Sequence, residues 1–228
     1  MSLKGSAFMI MWHDIVAHAD ADYNAWHTRQ HMPERLDHPG FLRSRRGINR
    51  KLDTQVYFTC YEGDALDTFV SPEYSRSLNN PTDWTRQVAP HFRNFLRMAC
   101  TVLRTGGRGV GGGLVTSRFD LPDGMTEQAA AALLEPVLAL LEENPLASAI
   151  HLAAARPEYS SQETSETDLR PPMHERSFQL VVFAETIGAE EAESFAPQIE
   201  QAIASTGFAE QVVQAYAVAY TLERRDAR

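Results

Sequence analysis

The chain has 228 residues, of which 43% are hydrophobic and 22% charged, so it is long enough for one large domain or two small ones with a real core. Its formal net charge of −9 carries no clustered basic stripe, which argues against a nucleic-acid partner. No apolar run is long enough for a transmembrane helix, Met1 to Gly5 carry no apolar leader core, and no membrane partner is expected. The charge is uneven: 14 Lys and Arg stand against 11 Asp and Glu up to Arg108, and 7 against 19 beyond it. Only two cysteines occur, Cys60 and Cys100, both in apolar strand-like runs. They read as free buried thiols of a reducing, cytoplasmic compartment.

In chain order, Ala7 to Ile15 reads as a strand with Phe8, Ile10 and Trp12 on one face and Met9, Met11 and His13 on the other. Both faces are largely apolar, so both should be covered. Asp20 is a candidate helix cap before a helix from about Asp22 to Leu36, which Pro33 must bend or stop. After the Pro39-Gly40 turn come a basic strand, Leu42 to Asn49, and a third, Gln55 to Tyr61. A broken helical stretch follows from Asp64 to Leu78. Pro81-Thr82 opens another helix, expected to reach about Arg97 with an interruption at Pro90, and Met98 to Arg104 reads as the fourth strand. The order is βαββαβ, the ferredoxin-like unit.

Gly106 to Gly113 holds six glycines in eight residues. It lacks the Lys-Ser/Thr of a phosphate loop and the spacing of a dinucleotide fingerprint, so it reads as a flexible connector. The order then repeats: a strand Leu114 to Phe119, a helix Thr126 to Asn144, a strand Ala149 to Ala155, a polar loop Pro157 to Arg176, a strand Phe178 to Thr186, a helix Ala189 to Thr206 ended by Gly207, and a strand Val212 to Leu222. Each sheet would carry helices on one face only and must bury the other. The expected fold is therefore α+β: two tandem βαββαβ units, residues 6–108 and 109–228, packed sheet to sheet as an intrachain dimeric α/β barrel.

Chemistry-bearing side chains are lopsided. Six of eight histidines and all three tryptophans lie in the first unit; the second offers His151 and His174 and helices of Ala, Leu, Ile and Glu. The first unit is thus expected to hold the site and the second to act as scaffold. In the first helix Tyr23, His27 and His31 stand at i, i+4 and i+8 and share a face, with Trp26 and Gln30 beside it. Imidazoles beside a phenol make an acid/base set for neutral pH, so His31, His27 and Tyr23 are the candidate catalytic residues. The competing reading leaves His27 exposed and His31 closing the bent helix end. His-x-x-x-His could also seat a metal with Glu34 or His13 as third ligand, but no HExxH is present and no metal is expected. Arg45-Arg46 could grip a substrate carboxylate, against the alternative of solvated or acid-paired strand arginines. Glu34 and Arg35 read as a surface pair or a clamp to the next strand.

The stretch from Asp22 to Gly47, with Trp26, His31-Met32-Pro33-Glu34-Arg35, Pro39-Gly40-Phe41 and Arg45-Arg46, resembles uncharacterised bacterial proteins of the dimeric α/β barrel superfamily. The run from Tyr57 to Arg97, with Tyr61-Glu62, Ser71-Pro72-Glu73-Tyr74 and Pro81-Thr82-Asp83-Trp84-Thr85, is similar to the same group. The chain departs from that pattern at Gln30, where Glu is expected, and at His27, where an aromatic is common. The superfamily includes EthD-like proteins, muconolactone isomerases, polyketide cyclases, small monooxygenases and haem-binding relatives. The resemblance implies a pocket between sheet and helices for a small aromatic or lactone-like molecule. It also implies cofactor-free proton transfer at His31, with Tyr57, Tyr61 or Trp84 shaping the pocket; Trp26 beside the helix face and Arg45 on its strand complete the candidate substrate-binding residues. The alternatives are a non-catalytic binding or assembly protein, for which a homodimer is compatible, and a haem or metal protein.

Overall fold

A computed structural model describes residues 3–172, 176–208 and 210–226. His174 lies outside them. Eight strands form one closed antiparallel barrel in the order β1-β3-β2-β8-β5-β7-β6-β4. They are β1 (Ala7–Ile15), β2 (Phe41–Ile48), β3 (Tyr57–Gly63), β4 (Phe92–Gly107), β5 (Gly113–Phe119), β6 (Ala147–Ala155), β7 (Leu180–Thr186) and β8 (Gln211–Glu223). Each unit keeps the ferredoxin-like order of fourth, first, third and second strand. The second strand of each unit pairs with the fourth strand of the other, β2 with β8 and β6 with β4. The two open sheets thus meet along two seams and their apolar faces become one shared interior, the dimeric α/β barrel within a single chain.

The register exposes the internal repeat. Glu62 sits opposite Phe8 of β1, and Glu185 sits opposite Leu114 of β5. Arg45 faces Cys60, two residues before Glu62, as His151 faces Phe183, two residues before Glu185. These four side chains are fully buried and meet in the barrel, where the Arg45 guanidinium lies 2.8 Å from both Glu62 and Glu185. Phe8, Ile10, Trp12, Phe58, Cys60, Phe183 and Tyr216 fill the rest of the interior. Cys60 and Cys100 are buried free thiols.

The second unit behaves as its composition demands. Thr126 caps α5 (Glu127–Glu142), accepting from the Ala129 N–H, and Ala130, Leu134, Leu138 and Leu141 line its inner stripe. In α7 (Ala189–Ala204), Ala192, Phe195, Ile199 and Ile203 do the same, and Gly207 follows its end at φ +101°. Both helices pack on Val115, Ile150, Leu152, Leu180 and Val182 in a mainly apolar layer, in which Ser117 donates to Gln211.

The first unit departs from simple expectation in three places. Its leading helix runs as α1 (Asp20–Trp26), a π segment (His27–His31) and α2 (Met32–Asp37). Asp20 does not cap it: the cap position is Ala19 without a side-chain bond, and the Asp20 carboxylate instead takes the Tyr57 hydroxyl and Arg50. A proline clashes with the carbonyl four residues back, here that of Arg29, and the widened turn just before Pro33 accommodates the ring without ending the helix. Third, the helix begun at Thr82 is short. After α3 (Pro72–Leu78), α4 spans only Asp83–Val88, and β4 begins at Phe92 just beyond Pro90. The early start gives β4 16 residues, long enough to pair first with β1 and then with β6 and so join the halves. The glycine-rich connector shortens accordingly, since Gly106 and Gly107 close β4 and Gly113 opens β5.

Candidate functional site

Strand alternation decides which polar residues can share a site. On the helix-covered face of the first sheet, the register aligns Arg97, Met11, Thr59 and Arg46 in one row across β4, β1, β3 and β2. Ala99, Met9, Tyr61 and Ser44 form the next, and His13 and Tyr57 stand opposite each other in a third. Over this face the helix lays Tyr23, Trp26, His27, His31 and Arg35, each no more than 8% exposed. In a regular α-helix the i+8 residue drifts about 80° from the first. The π segment removes that drift, so Tyr23, His27 and His31 all reach the sheet: their rings are successively near-parallel, with centroids 5.3 Å and 5.6 Å apart. His27 is therefore buried, not the exposed residue of the competing sequence reading.

The three imidazoles have different bonding. The His13 Nε2 is 2.8 Å from the Tyr23 hydroxyl, and its Nδ1 has no hydrogen-bond partner. Arg46 donates to the His27 Nδ1 at 3.3 Å. Because a guanidinium can only donate, that nitrogen is the acceptor and the proton of neutral His27 sits on Nε2, which makes a long 3.4 Å contact with the Tyr61 hydroxyl. The His31 Nδ1 is buried with no partner, and its ring lies 4.1 Å from that of Trp26. All three are held neutral. Burial, then Arg170 and Arg46, push His13 down to about 3. Burial, then His31 and Arg46, push His27 well below the usual imidazole range, and burial, then Arg35 and Arg170, do the same to His31. Burial likewise holds the Tyr23 and Tyr61 phenols protonated.

Two members of this cluster come from the polar loop of the second unit. There α6 (Ser165–Asp168) is fixed by a capping box at Thr164 and carries Glu166 into the first unit. The Glu166 carboxylate binds Arg35 through one oxygen and Arg170, at 2.7 Å, through the other. Burial alone would raise its pKa, but Arg35 and Arg170 outweigh that and keep it below the usual carboxylate range. Arg35 is therefore not a surface residue: it is 2% exposed and pairs across the halves. The Arg170 guanidinium lies over Phe95, 4.5 Å from the ring centroid, and its Nε and NH1 have no hydrogen-bond partner.

Other sequence candidates fall elsewhere. Arg45 points into the barrel, where Glu62 and Glu185 occupy it, so of the Arg45-Arg46 pair it is Arg46 that faces the helix. The Tyr57 ring belongs to the aromatic cluster, but its hydroxyl is held by Asp20, Asn24 and Arg50 beside a cavity of 290 Å³ at the end of the sheet. Trp84 is half-buried at the margin of the Tyr23, Trp26 and Phe92 cluster and donates to Asp22. Trp26 donates to Thr85 at 3.2 Å. A recess of 500 Å³, lined in part by Gln55, Arg118, Phe119 and Gln214, opens at another place, where β5 ends and β8 begins. No group of three His, Cys, Asp or Glu side chains among the described residues is placed to hold a metal ion, and none of the described helices is long and apolar enough to cross a membrane.

Sequence reasoning missed Glu166 and Arg170, for which only the polar loop's position gave a signal, and weighed His13 only as a metal ligand. The alternation of β1 places His13 on the helix-covered face.

The closed barrel and its helix-covered polar face define a tandem dimeric α/β-barrel protein. No family model matches the chain, and no curated protein does. Solved structures do match over nearly its whole length. An anthrone oxidase-like protein is similar with a TM-score of 0.66 at 11% identity, covering 97% of this chain and 94% of its own. A candidate monooxygenase of Fusobacterium nucleatum matches with 0.64 at 8% identity, covering 97% and 96%. A mutant chlorite dismutase of Candidatus Nitrospira defluvii, in complex with cyanide, matches with 0.56 at 9% identity, covering 95% and 91%. At such identities the likeness is one of fold.

Proposed function

We propose that this chain is a cofactor-independent enzyme that moves a proton on a small aromatic or lactone-like molecule held between its first helix and first sheet. The observation that carries the reading is a set of buried neutral imidazoles, two with a free ring nitrogen, enclosed by arginines in one half only, while the equivalent layer of the other half is, among the described residues, built from apolar side chains around a single bonded serine, Ser117. Buried polar atoms without partners cost about 1–3 kcal/mol each and are rare in structural cores.

His31 is the general base: its buried Nδ1 has no partner, while the residue as a whole keeps 8% of its surface exposed. It takes a proton from an acidic C–H or phenolic O–H, and the arginines stabilise the resulting anion. Returning that proton to another atom completes an isomerisation or cyclisation. His27 has its acceptor nitrogen occupied by Arg46 and serves to orient that guanidinium. His13 and Tyr23 form a neutral hydrogen-bonded pair behind it. Trp26, Tyr61, Phe92 and Phe95 supply aromatic walls. Two of the similar structures carry oxidase or monooxygenase names. The same deprotonated aromatic is the species that dioxygen would oxidise, so oxygen uptake belongs in the assay.

The test is solvent exchange. A panel of phenolic and lactone compounds is incubated with the protein in D2O, followed by NMR for deuterium at carbon, with an oxygen electrode in parallel. The reading requires at least one compound to exchange or consume oxygen, with loss of that activity in His31→Gln at unchanged fold. A panel without turnover, or equal turnover in the variant, overturns it.

A further inference from the structure

The polar layer of the first unit holds more buried positive than negative charge. Arg35 and Arg170 share the carboxylate of Glu166, and among the described residues only Arg35 has a second acid, Glu34, at 3.5 Å. Arg46, 6% exposed, donates to the His27 ring, the Thr28 hydroxyl and the Asn24 carbonyl, all neutral. A guanidinium out of water needs a counter-charge, and excess cation in such a layer costs folding energy unless an anion joins it. The residue best placed to receive one is Arg170. Its side chain is 10% exposed, its plane is set by Phe95, and its NH2 is anchored on Glu166. Its Nε–H and its NH1 donate to nothing in the protein. Through Glu166 it is joined to Arg35, which follows His31 by one helical turn.

We propose that the ligand of this site is an organic anion, an aromatic carboxylate or phenolate, whose charged oxygen seats on the free donors of Arg170 beside His31. This rests on the site proposed above and deepens it: the second unit, through the loop carrying Glu166 and Arg170, supplies the anion contact of a site whose base belongs to the first. Arg suits that task, since its guanidinium stays charged and offers several fixed donors, one of them already used for anchoring. An aromatic body then lies against Phe92, Phe95 and Trp26.

Isothermal titration calorimetry with salicylate and its neutral isostere salicylamide tests the assignment on the intact chain. The expected result is salicylate binding at least tenfold tighter than salicylamide, with the preference falling below twofold in Arg170→Gln. In His31→Gln the preference persists, because the base does not hold the charge. Should Arg170→Gln fail to fold, Arg170→Lys keeps the pair with Glu166 but offers one compact ammonium, and a preference reduced at least threefold carries the same conclusion. Equal affinity for the two probes, or a preference unchanged in the Arg170 variants, overturns the anion assignment while leaving the site itself standing. Failure of both probes to bind at millimolar concentration overturns both.

Discussion

Lowering the pH from 7.5 to 5.0 should destabilise this protein through His13, by an amount that can be worked out beforehand. The group has an ordinary pKa of 6.5 in the unfolded chain and about 3 when buried between Tyr23, Tyr57 and Phe92. A depressed folded pKa means that the unfolded state takes up the proton first. The stabilisation is whole above 6.5 and is lost progressively as the pH falls toward 3. At pH 5 the unfolded chain has gained about 1.5 pH units of proton binding that the folded chain has not, which is about 2 kcal/mol. His27 and His31 act with the same sign, so the wild-type loss should exceed that figure. Urea unfolding at both pH values, on wild type and on His13→Phe, isolates the residue. The lost Tyr23 hydrogen bond lowers the variant's stability equally at both pH values and cancels. The variant should therefore show a pH-induced loss smaller by about 2 kcal/mol. An equal loss in the two proteins would refute a buried neutral His13.

Removing the central cation of the barrel, Arg45→Met, leaves Glu62 and Glu185 short of a partner and should cost about 3–5 kcal/mol in urea unfolding; a change below 1 kcal/mol would contradict the buried ion chain. Glu166→Gln takes the shared counter-charge from Arg35 and Arg170 and should both lower the thermal midpoint and speed proteolysis of residues 157–172; unchanged cleavage would place that loop elsewhere. Trp84→Phe, which keeps an aromatic ring at the margin of the cluster and loses only the bond to Asp22, should leave ligand affinity and turnover within twofold, and a larger effect would bring Trp84 back among the binding residues. His31→Gln should lower proton exchange about 100-fold or more while the urea midpoint moves little, and a parallel collapse of stability would mark a structural histidine.

The fold was readable because element order and two-faced apolar strands leave few arrangements. Open sheets must bury their faces, and βαββαβ written twice does so by closing on itself. The placement of Tyr23, His27 and His31 on one buried face was readable in outline from their spacing, though the π segment that aligns them left no clear trace beyond Pro33. The choice between Arg45 and Arg46 was not readable, because adjacent strand residues point to opposite faces and both sides of this sheet are buried. Glu166 and Arg170 were invisible for a different reason. They sit in a Ser-, Glu- and Thr-rich loop whose local pattern says only that it is polar. Their burial is created by docking on the other unit, on Arg35 and Phe95, far away in sequence, and no local periodicity records a contact of that kind.

A crystal structure of the wild-type protein grown with salicylate tests the central claim most directly. The expected map shows the compound between the first helix and the sheet, with its carboxylate on Arg170 and a polar atom within 3.2 Å of the His31 Nδ1, a hydrogen-bonding distance. A map in which protein side chains fill that space, or in which the compound lies only in the recess beside Gln55 and Gln214, would contradict it.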